Sequence, residues 1–201
     1  MSNYIFAPSP TYGVSEHPFV SWNDAFSTDE LNSIIEYCNN LELSKGTVGG
    51  YTDNDDINSV RSSSVSWLSL NESTTWIYDR LANIARNLNG QFYKFDLYGF
   101  SEDLQYTVYN SDNNGHYTWH VDWGSSSDSP PRKFSIVLQL SDPSEYEGGD
   151  LEIFTSKNPV AVSKKKGLIT AFPSFTLHRV SPVTSGIRKT LVVWACGPAF
   201  K

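Results

Sequence analysis

The chain has 201 residues, of which 39% are hydrophobic and 14% aromatic, and its formal net charge is −7. This length predicts one domain with a sizeable buried core, and the aromatic content excludes disorder as the main state. The negative charge excludes a role that depends on electrostatic binding to nucleic acids or anionic membranes. The one tight basic run, residues 164–166, is interpreted as a solvated turn between strands.

Several features bear on the cellular compartment. Cys38 and Cys196 lie far apart in the sequence, without zinc-site spacing, and both are interpreted as buried hydrophobic side chains in a reducing compartment. Residues 1–8 lack the basic start and long apolar run of a signal peptide. No stretch reaches the ~18 apolar residues of a membrane span. We therefore expect a cytoplasmic protein.

The first part of the chain predicts a short strand and a helix. The apolar residues at 19–22 indicate the strand, and Ser-Thr-Asp-Glu at 27–30 is a capping box that begins the helix. One face of this helix is apolar at helical spacing. The residues of that face are Leu31, Ile34, Ile35, Cys38 and Leu41.

A second helix is predicted at 74–89, with Gly90 as its stop. Between the two helices, residues 44–64 are rich in Gly, Ser, Asn and Asp and predict a long loop or hairpin. Loops of this length are uncommon in compact domains and are often functional.

After Gly90 the sequence becomes typical of β-structure. Short segments rich in β-branched and aromatic residues are separated by turn residues, which predicts a sandwich or jelly roll with a pocket between two sheets. The expected strands are 92–98, 104–109, 117–121, 134–140, 150–154, 159–162, 168–172, 176–180 and 187–195.

Two histidines and an aspartate form a candidate metal site. His120 and Asp122 are two residues apart, so they share one face of an expected strand, and His178 lies on a later strand expected to face it. Two imidazoles and one carboxylate form the facial triad of non-haem Fe(II) oxygenases. The alternative is that His120 is a hydrogen-bonded strand residue and Asp122 opens the next turn. His116 is not expected to be a ligand.

Arg188 is a further candidate residue of the same site. It begins the last apolar strand, where an inward-facing charge is costly unless a carboxylate pairs with it. The planar guanidinium fork suits bidentate binding of the remote carboxylate of a diacid. The alternative is a surface arginine at the start of a strand.

Together these residues resemble the 2-oxoglutarate- and Fe(II)-dependent oxygenases, specifically the prolyl-4-hydroxylase-like (PHD/PKHD-type) branch. The resemblance covers about residues 60–195. Overall, the sequence is similar to small bacterial and phage-encoded enzymes of this type. The residues that carry it are His120, Asp122, His178, Arg188 and Thr190, the stretch from Tyr109 through Gly115 and Tyr117, the Gly148-Gly149 strand entry, Trp194, and the pair Arg61 and Trp67.

The sequence departs from the family pattern at three places, of which the last two concern the cofactor contacts and the choice of substrate. The turn between Tyr109 and Tyr117 is one residue longer than in the animal relatives. Gln139 or Leu138 stands near a position where those relatives have a further cofactor-contacting tyrosine. The segment after Arg61 lacks the acidic residue often found two positions later.

The resemblance implies an α+β, mainly β fold with a double-stranded β-helix (jelly-roll) core and supporting N-terminal helices. It also implies a single oxygenase domain, 1–201, with helices and a substrate loop in 1–90 and the jelly-roll core in 91–201. The expected reaction hydroxylates an aliphatic C–H bond, with C4 of a prolyl residue in a protein or peptide favoured, and releases succinate and CO2. Fe(II), 2-oxoglutarate and O2 are expected, with ascorbate as a candidate reductant.

The resemblance also assigns roles to residues. His120, Asp122 and His178 would hold Fe(II) as the catalytic centre, and Arg188, Tyr109 and Thr190 would bind 2-oxoglutarate. Substrate contacts are expected from Arg61, Trp67, Tyr117 and Trp194, and from a flexible loop tip at 49–52. Core packing is the alternative for the aromatic residues.

Other functions stay open at this point. The same triad could serve an oxygenase that acts on lysine, a free amino acid or another small molecule. From different classes come a non-catalytic jelly-roll binding or accessory protein, and a zinc hydrolase. The expected partner is a proline-containing protein or peptide, a host translation-related protein being one candidate, in the cytoplasm of a bacterium or an infected host. No nucleic acid or membrane partner is expected, and the oligomeric state is left open.

Overall fold

The computed structural model describes residues 17–49, 54–124, 130–155 and 157–199, with only the backbone described at residues 54 and 55. None of the helices formed by the described residues is long and apolar enough to cross a membrane. The helices are α1 (Thr28–Asn39), α2 (Asn54–Val60) and α3 (Thr75–Leu88). The strands are β1 (Val20–Trp22), β2 (Ser44–Lys45), β3 (Arg61–Ser62), β4 (Ser64–Leu68), β5 (Gly99–Phe100), β6 (Leu104–Asn110), β7 (His116–His120), β8 (Arg132–Gln139), β9 (Tyr146–Gly148), β10 (Leu151–Phe154), β11 (Pro159–Ala161), β12 (Ile169–Pro173), β13 (His178–Val180) and β14 (Val183–Cys196).

The strands form two antiparallel sheets. The larger sheet has the order β1-β12-β8-β14-β6-β4-β2, and β5 and β9 also pair with β14. The smaller sheet has the order β11-β10-β13-β7-β3. Two facing antiparallel sheets with helices on one side confirm the predicted α+β, mainly β fold with a jelly-roll core.

The side chains of β14 alternate between two environments, as they must in a strand. Leu191 and Val193 point to the outer face of the larger sheet, where they join the apolar core beneath α1 and α3. Arg188, Thr190 and Trp194 point to the inner face and line a cavity between the sheets. One strand therefore contributes both to the main core and to the candidate site.

The capping box that was predicted for α1 is confirmed. The Ser27 hydroxyl accepts a hydrogen bond from the Glu30 backbone N–H at 3.2 Å, and the Glu30 carboxylate accepts one from the Ser27 backbone N–H at 2.7 Å. The Glu30 carboxylate also pairs with Arg80 of α3. The same glutamate thus begins one helix and links it to the other.

The prediction that α3 stops at Gly90 is wrong. The helix continues as a π-helical turn, Asn89–Tyr93, and ends at Lys94 in the left-handed region with φ of 55°. The Asn89 side chain accepts a hydrogen bond from the Phe95 N–H at 2.8 Å and donates one to the Phe95 carbonyl at 2.9 Å. These bonds stabilise the wider turn beyond the glycine.

The strand that was predicted at 92–98 is also wrong. The first residues of this segment belong to the π-helical turn, and no strand begins in the segment. Tyr93 is buried, with its ring centroid 5.2 Å from that of Phe134 and 5.7 Å from that of Phe95. The aromatic residues of this segment reflect burial against the sheet and not strand formation.

The long loop that was predicted at 44–64 contains regular structure. Its ends form β2 and the start of β4, and α2 and β3 lie between them. The Gly46 N–H donates to the Ser63 carbonyl at 2.8 Å, which ties the two ends together. Gly49 is described, but residues 50–52 of the expected loop tip lie outside the described residues.

Both cysteines are free thiols in the interior, as the sequence predicts. Cys38 is 1% exposed and Cys196 is fully buried. Burial raises the pKa of the Cys38 thiol to about 12, although the charge of Lys189 acts against this. The reactive thiolate form of Cys38 is therefore scarce near neutral pH.

We expect Cys38 to resist alkylation in the native protein. At pH 8, iodoacetamide should modify it about a thousandfold more slowly than in the urea-unfolded chain, because the thiolate fraction falls by that order. Peptide mass spectrometry of time points measures this rate. Equal rates in a sample whose fold is intact by circular dichroism would contradict the burial of this residue.

Candidate active site

The cavity between the two sheets has a volume of about 410 Å³ and contains the predicted site residues. The inner faces of β6, β8 and β14 form one wall, and β7 and β13 of the smaller sheet face them. Strand alternation explains this lining, because every second residue of each strand points inward. The cavity is therefore a product of the sheets themselves.

His120, Asp122 and His178 come together at one end of this cavity. β7 and β13 pair in a register that sets His178 directly opposite His120. The Nε2 atoms of His120 and His178 each lie 3.6 Å from an Asp122 carboxylate oxygen. Candidate ligand atoms from the three residues all lie within 4.8 Å of one another. Two imidazoles and one carboxylate are a donor set that suits Fe(II), as well as other divalent transition metals.

Backbone carbonyls orient both imidazoles toward the aspartate. The Nδ1 of His120 lies 2.7 Å from the Thr118 carbonyl, and the Nδ1 of His178 lies 2.8 Å from the Thr176 carbonyl. Because a carbonyl can only accept, Nδ1 carries the proton, and Nε2 keeps its lone pair for a metal. Burial, followed by repulsion from His178, lowers the pKa of His120 to about 4. At neutral pH this imidazole is in the uncharged form that binds metals.

Asp122 is held by a pair of serines that the sequence pattern does not indicate. The Ser135 hydroxyl donates to Asp122 Oδ2 at 2.7 Å and lies 2.9 Å from the Ser174 hydroxyl. The Trp194 indole N–H is directed to the same carboxylate but falls short of a hydrogen bond. Burial raises the pKa of Asp122, yet the two imidazoles, with the Trp194 and Ser135 side chains, bring it below its ordinary value.

A register shift between β7 and β13 places Tyr117 in the same wall as His120. The strands pair His178 with His120 but Val180 with Tyr117, so one strand bulges between these pairs. Tyr117 and His120, three residues apart, consequently both face the cavity. Their rings stack with centroids 3.5 Å apart.

Arg188 lies in the opposite wall with its charge unpaired. It is 3% exposed, it pairs in register with Tyr109 of β6, and its guanidinium lies 5.6 Å from the Tyr109 ring centroid. In the part of the chain that the structure describes, it makes no ion pair or hydrogen bond. A buried cation without a partner fits a ligand that brings a carboxylate. Thr190 follows on the same face.

The four residues predicted to contact substrate also line the cavity. Arg61 is 7% exposed, Trp194 is buried, and Trp67 is 42% exposed with its ring centroid 6.4 Å from that of Trp194. Tyr117 completes the group. Because Trp67 is exposed, it lies at the cavity mouth. Because Trp194 is buried, its side chain also contributes to packing of the interior.

The cavity is also lined by Arg132 and Glu102, which the sequence pattern does not indicate. The Arg132 Nε donates to Glu102 at 2.6 Å, and its guanidinium lies 3.8 Å from the Trp194 ring centroid. Gln139 was noted in place of a family tyrosine, and it donates to the Tyr146 hydroxyl at 3.1 Å. Strand alternation identifies candidates such as these, but their partners come from other parts of the chain.

His116 stays outside the cluster, as expected. Its ring nitrogens lie near the backbone carbonyls of Asn114 and Ser59, at 2.8 and 3.4 Å. It therefore offers a histidine on the same strand as His120 that does not belong to the site.

Comparisons with known proteins are consistent with this geometry. Residues 104–196 match the model of the 2OG-Fe(II) oxygenase superfamily. A PKHD-type hydroxylase of Synechococcus sp. (strain CC9311) is 40% identical over 90 residues, which are 45% of this chain and 40% of that protein. One of Teredinibacter turnerae is 41% identical over 86 residues, 41% of this chain and 38% of that protein. The matches thus span about two fifths of these relatives.

Solved structures extend the similarity in fold to most of the chain. A Pseudomonas putida prolyl-4-hydroxylase has a TM-score of 0.72 at 19% identity, covering 92% of this chain and 95% of that one. A Trichoplax adhaerens prolyl hydroxylase, in complex with a hypoxia inducible factor peptide fragment, has a TM-score of 0.75 at 15% identity, covering 90% and 84%.

Residues 104–196 thus match the 2OG-Fe(II) oxygenase superfamily, and the chain has a fold similar to that of prolyl hydroxylases. The resemblance stated from the motifs is confirmed. The matched segment includes His120, Asp122, His178 and Arg188, which line the cavity.

We expect Ser135→Ala to weaken metal binding, because Asp122 loses the hydroxyl that orients it. The dissociation constant for Co(II), measured by absorption titration, should rise about 10- to 100-fold. Ser33→Ala, at an exposed position on α1, is the matched control and should bind as the wild type does. Unchanged Co(II) affinity in folded Ser135→Ala would contradict this role.

Proposed function

We propose that this protein is an Fe(II)- and 2-oxoglutarate-dependent dioxygenase that hydroxylates an aliphatic C–H bond. One observation carries the proposal: a two-histidine, one-carboxylate cluster and an unpaired buried arginine lie in the same cavity. Zinc hydrolysis and a purely structural role both leave Arg188 unexplained. When bound, Fe(II) and 2-oxoglutarate supply the oxidising chemistry with O2, and succinate and CO2 are the by-products.

The residues divide the binding work between the two walls. His120, Asp122 and His178 would hold the metal from the end of β7, the residues after it, and β13. Arg188 would bind the far carboxylate of 2-oxoglutarate, and the Tyr109 and Thr190 hydroxyls would complete that contact. Burial raises the pKa of Tyr109, so this phenol keeps its proton as a hydrogen-bond donor.

The cavity walls also position the substrate and limit water. Tyr117 shields one face of His120, and Trp194 and Val192 cover the inner wall. A C–H bond held close to the metal reacts in preference to others, so selectivity depends on how the mouth orients the substrate. Arg61 inside the cavity and Trp67 at its mouth are our candidates for this orienting role.

For the substrate we propose a prolyl residue of a protein or peptide, hydroxylated at C4. The similar Trichoplax protein is a prolyl hydroxylase in complex with a peptide fragment, and the curated relatives are named PKHD-type hydroxylases. An exposed tryptophan beside the cavity suits an extended peptide. Ascorbate as a reductant is part of the same proposal. Incubation of candidate peptides with the loaded enzyme, followed by mass spectrometry for a single added oxygen, tests it.

The metal and cofactor roles are tested by anaerobic absorption spectroscopy. Titration of the metal-free protein with Fe(II) and then 2-oxoglutarate should produce a visible charge-transfer band that needs both additions. Asp122→Ala and His178→Ala should abolish the band, whereas the matched variant His116→Ala should keep it, because His116 lies outside the cluster. Absence of the band from folded wild-type protein would reject the oxygenase proposal.

The role of Arg188 is tested by Arg188→Met. Loss of the buried charge should raise the 2-oxoglutarate concentration that gives half of the maximal band intensity by at least about 30-fold. This factor is expected because removing one partner of a buried ion pair weakens binding by that order. Fe(II) affinity should stay near that of the wild type, since Arg188 touches none of the metal ligands. An unchanged requirement for 2-oxoglutarate would refute this assignment.

A further inference from the structure

Arg61 is a second buried guanidinium in the cavity, and among the described residues its hydrogen bonds go only to neutral groups. It donates to the Ser63 hydroxyl at 2.7 Å, the Thr47 carbonyl at 3.2 Å and the Gln105 side-chain oxygen at 3.1 Å. Within the described ranges, no carboxylate lies within ion-pair distance of it. A guanidinium has five N–H donors, so one N–H on each terminal nitrogen stays available.

The charges that line the cavity do not balance. Arg132 and Glu102 form an ion pair and cancel. Among the lining residues that the structure describes, Arg61 and Arg188 then face a single carboxylate, that of Asp122, which leaves a formal charge of +1 even without Lys45, another lining residue. A divalent metal and the 2-oxoglutarate dianion cancel each other, so their binding leaves this excess in place. The cavity is therefore positive in a chain whose net charge is −7.

The two unpaired arginines lie in different walls of the cavity. Arg188 belongs to β14 of the larger sheet, and Arg61 to β3 at the edge of the smaller sheet. The Arg61 guanidinium lies 4.8 Å from the Tyr117 ring centroid, and that ring stacks on His120. A group bound at Arg61 is thus separated from a metal ligand by one aromatic ring.

We propose that the substrate of this enzyme carries a carboxylate close to the reacting carbon, and that Arg61 binds it. The inference rests on the proposed oxygenase function and narrows its substrate class. A carboxylate accepts both remaining N–H donors and supplies the missing negative charge, which a peptide carbonyl does not. The carboxylate has two sources: the free C-terminal group of the modified residue, or the side chain of a neighbouring Asp or Glu.

The test compares two probes that differ only in charge, N-acetyl-L-proline and N-acetyl-L-prolinamide. Isothermal titration calorimetry is done anaerobically on the full chain with saturating Fe(II) and 2-oxoglutarate, so that Arg188 is already occupied. The acid should bind at least about tenfold more tightly than the amide, as expected for a hydrogen bond to a charged partner. The peptides N-acetyl-Pro-Asp-amide and N-acetyl-Pro-Asn-amide, compared in the same way, test the second source.

Variants connect the preference with Arg61. Arg61→Gln should reduce the advantage of the negatively charged probe to less than about threefold, while Arg61→Lys should keep part of it, since the charge remains. Arg179→Gln removes an arginine that pairs with Glu152 outside the cavity, and it should behave as the wild type does.

The outcomes separate this inference from the proposed function. Preference for the acid within either probe pair, lost in Arg61→Gln, supports the inference and identifies the source. Equal binding within both pairs, no binding of any probe, or a preference that survives in Arg61→Gln overturns it. The Fe(II) and 2-oxoglutarate charge-transfer band is recorded in the same samples, so failure of the oxygenase proposal appears independently as loss of that band.

Discussion

The candidate site depends on the register between β7 and β13. This pairing sets His178 opposite His120 and lets Asp122, two residues beyond the strand, reach both imidazoles. Because side chains alternate along a strand, a slip of one residue would turn His178 out of the cavity. The Trp123 N–H donates to the Ser174 carbonyl at 2.8 Å, which holds the chain after Asp122 against the loop that precedes β13. Backbone hydrogen bonds thus set the geometry of the cluster.

The larger sheet supplies the rest of the site through the same alternation. Each central strand has one face in the apolar core under α1 and α3 and one face in the cavity. Leu191 lies between Thr190 and Val192 in sequence but on the other side of the sheet. The core fixes the strands in position, and the polar residues of the inner face take their positions from it. Burial of apolar area on the helix side is the main favourable contribution.

The residues most easily predicted from the sequence are those whose type and spacing together indicate a metal site or a helix cap. His120, Asp122, His178 and Arg188 were recognised together, and the capping box of α1 is a local signal of the same kind. Ser135 is not indicated by the sequence because its contact with Asp122 joins β8 of the larger sheet to the residues after β7 of the smaller sheet. The strand prediction at 92–98 is wrong for a related reason, because an aromatic pattern of this kind occurs both in strands and in irregular segments that pack on a sheet. Local patterns do not encode partners that are distant in sequence.

The two unpaired arginines show how the fold divides stability from binding. A buried charge without a partner destabilises a protein, and typical domains have only about 5–15 kcal/mol of stability in total. Here both charges stand on inner faces, where they do not disturb the helix-side core. Arg61 is also partly solvated by Ser63, Thr47 and Gln105, which replace some of its lost water. Neutral acceptors lower the cost of burial without cancelling the charge, so the guanidinium stays able to bind an anion. A carboxylate at position 63 would have stabilised the empty protein and removed that capacity.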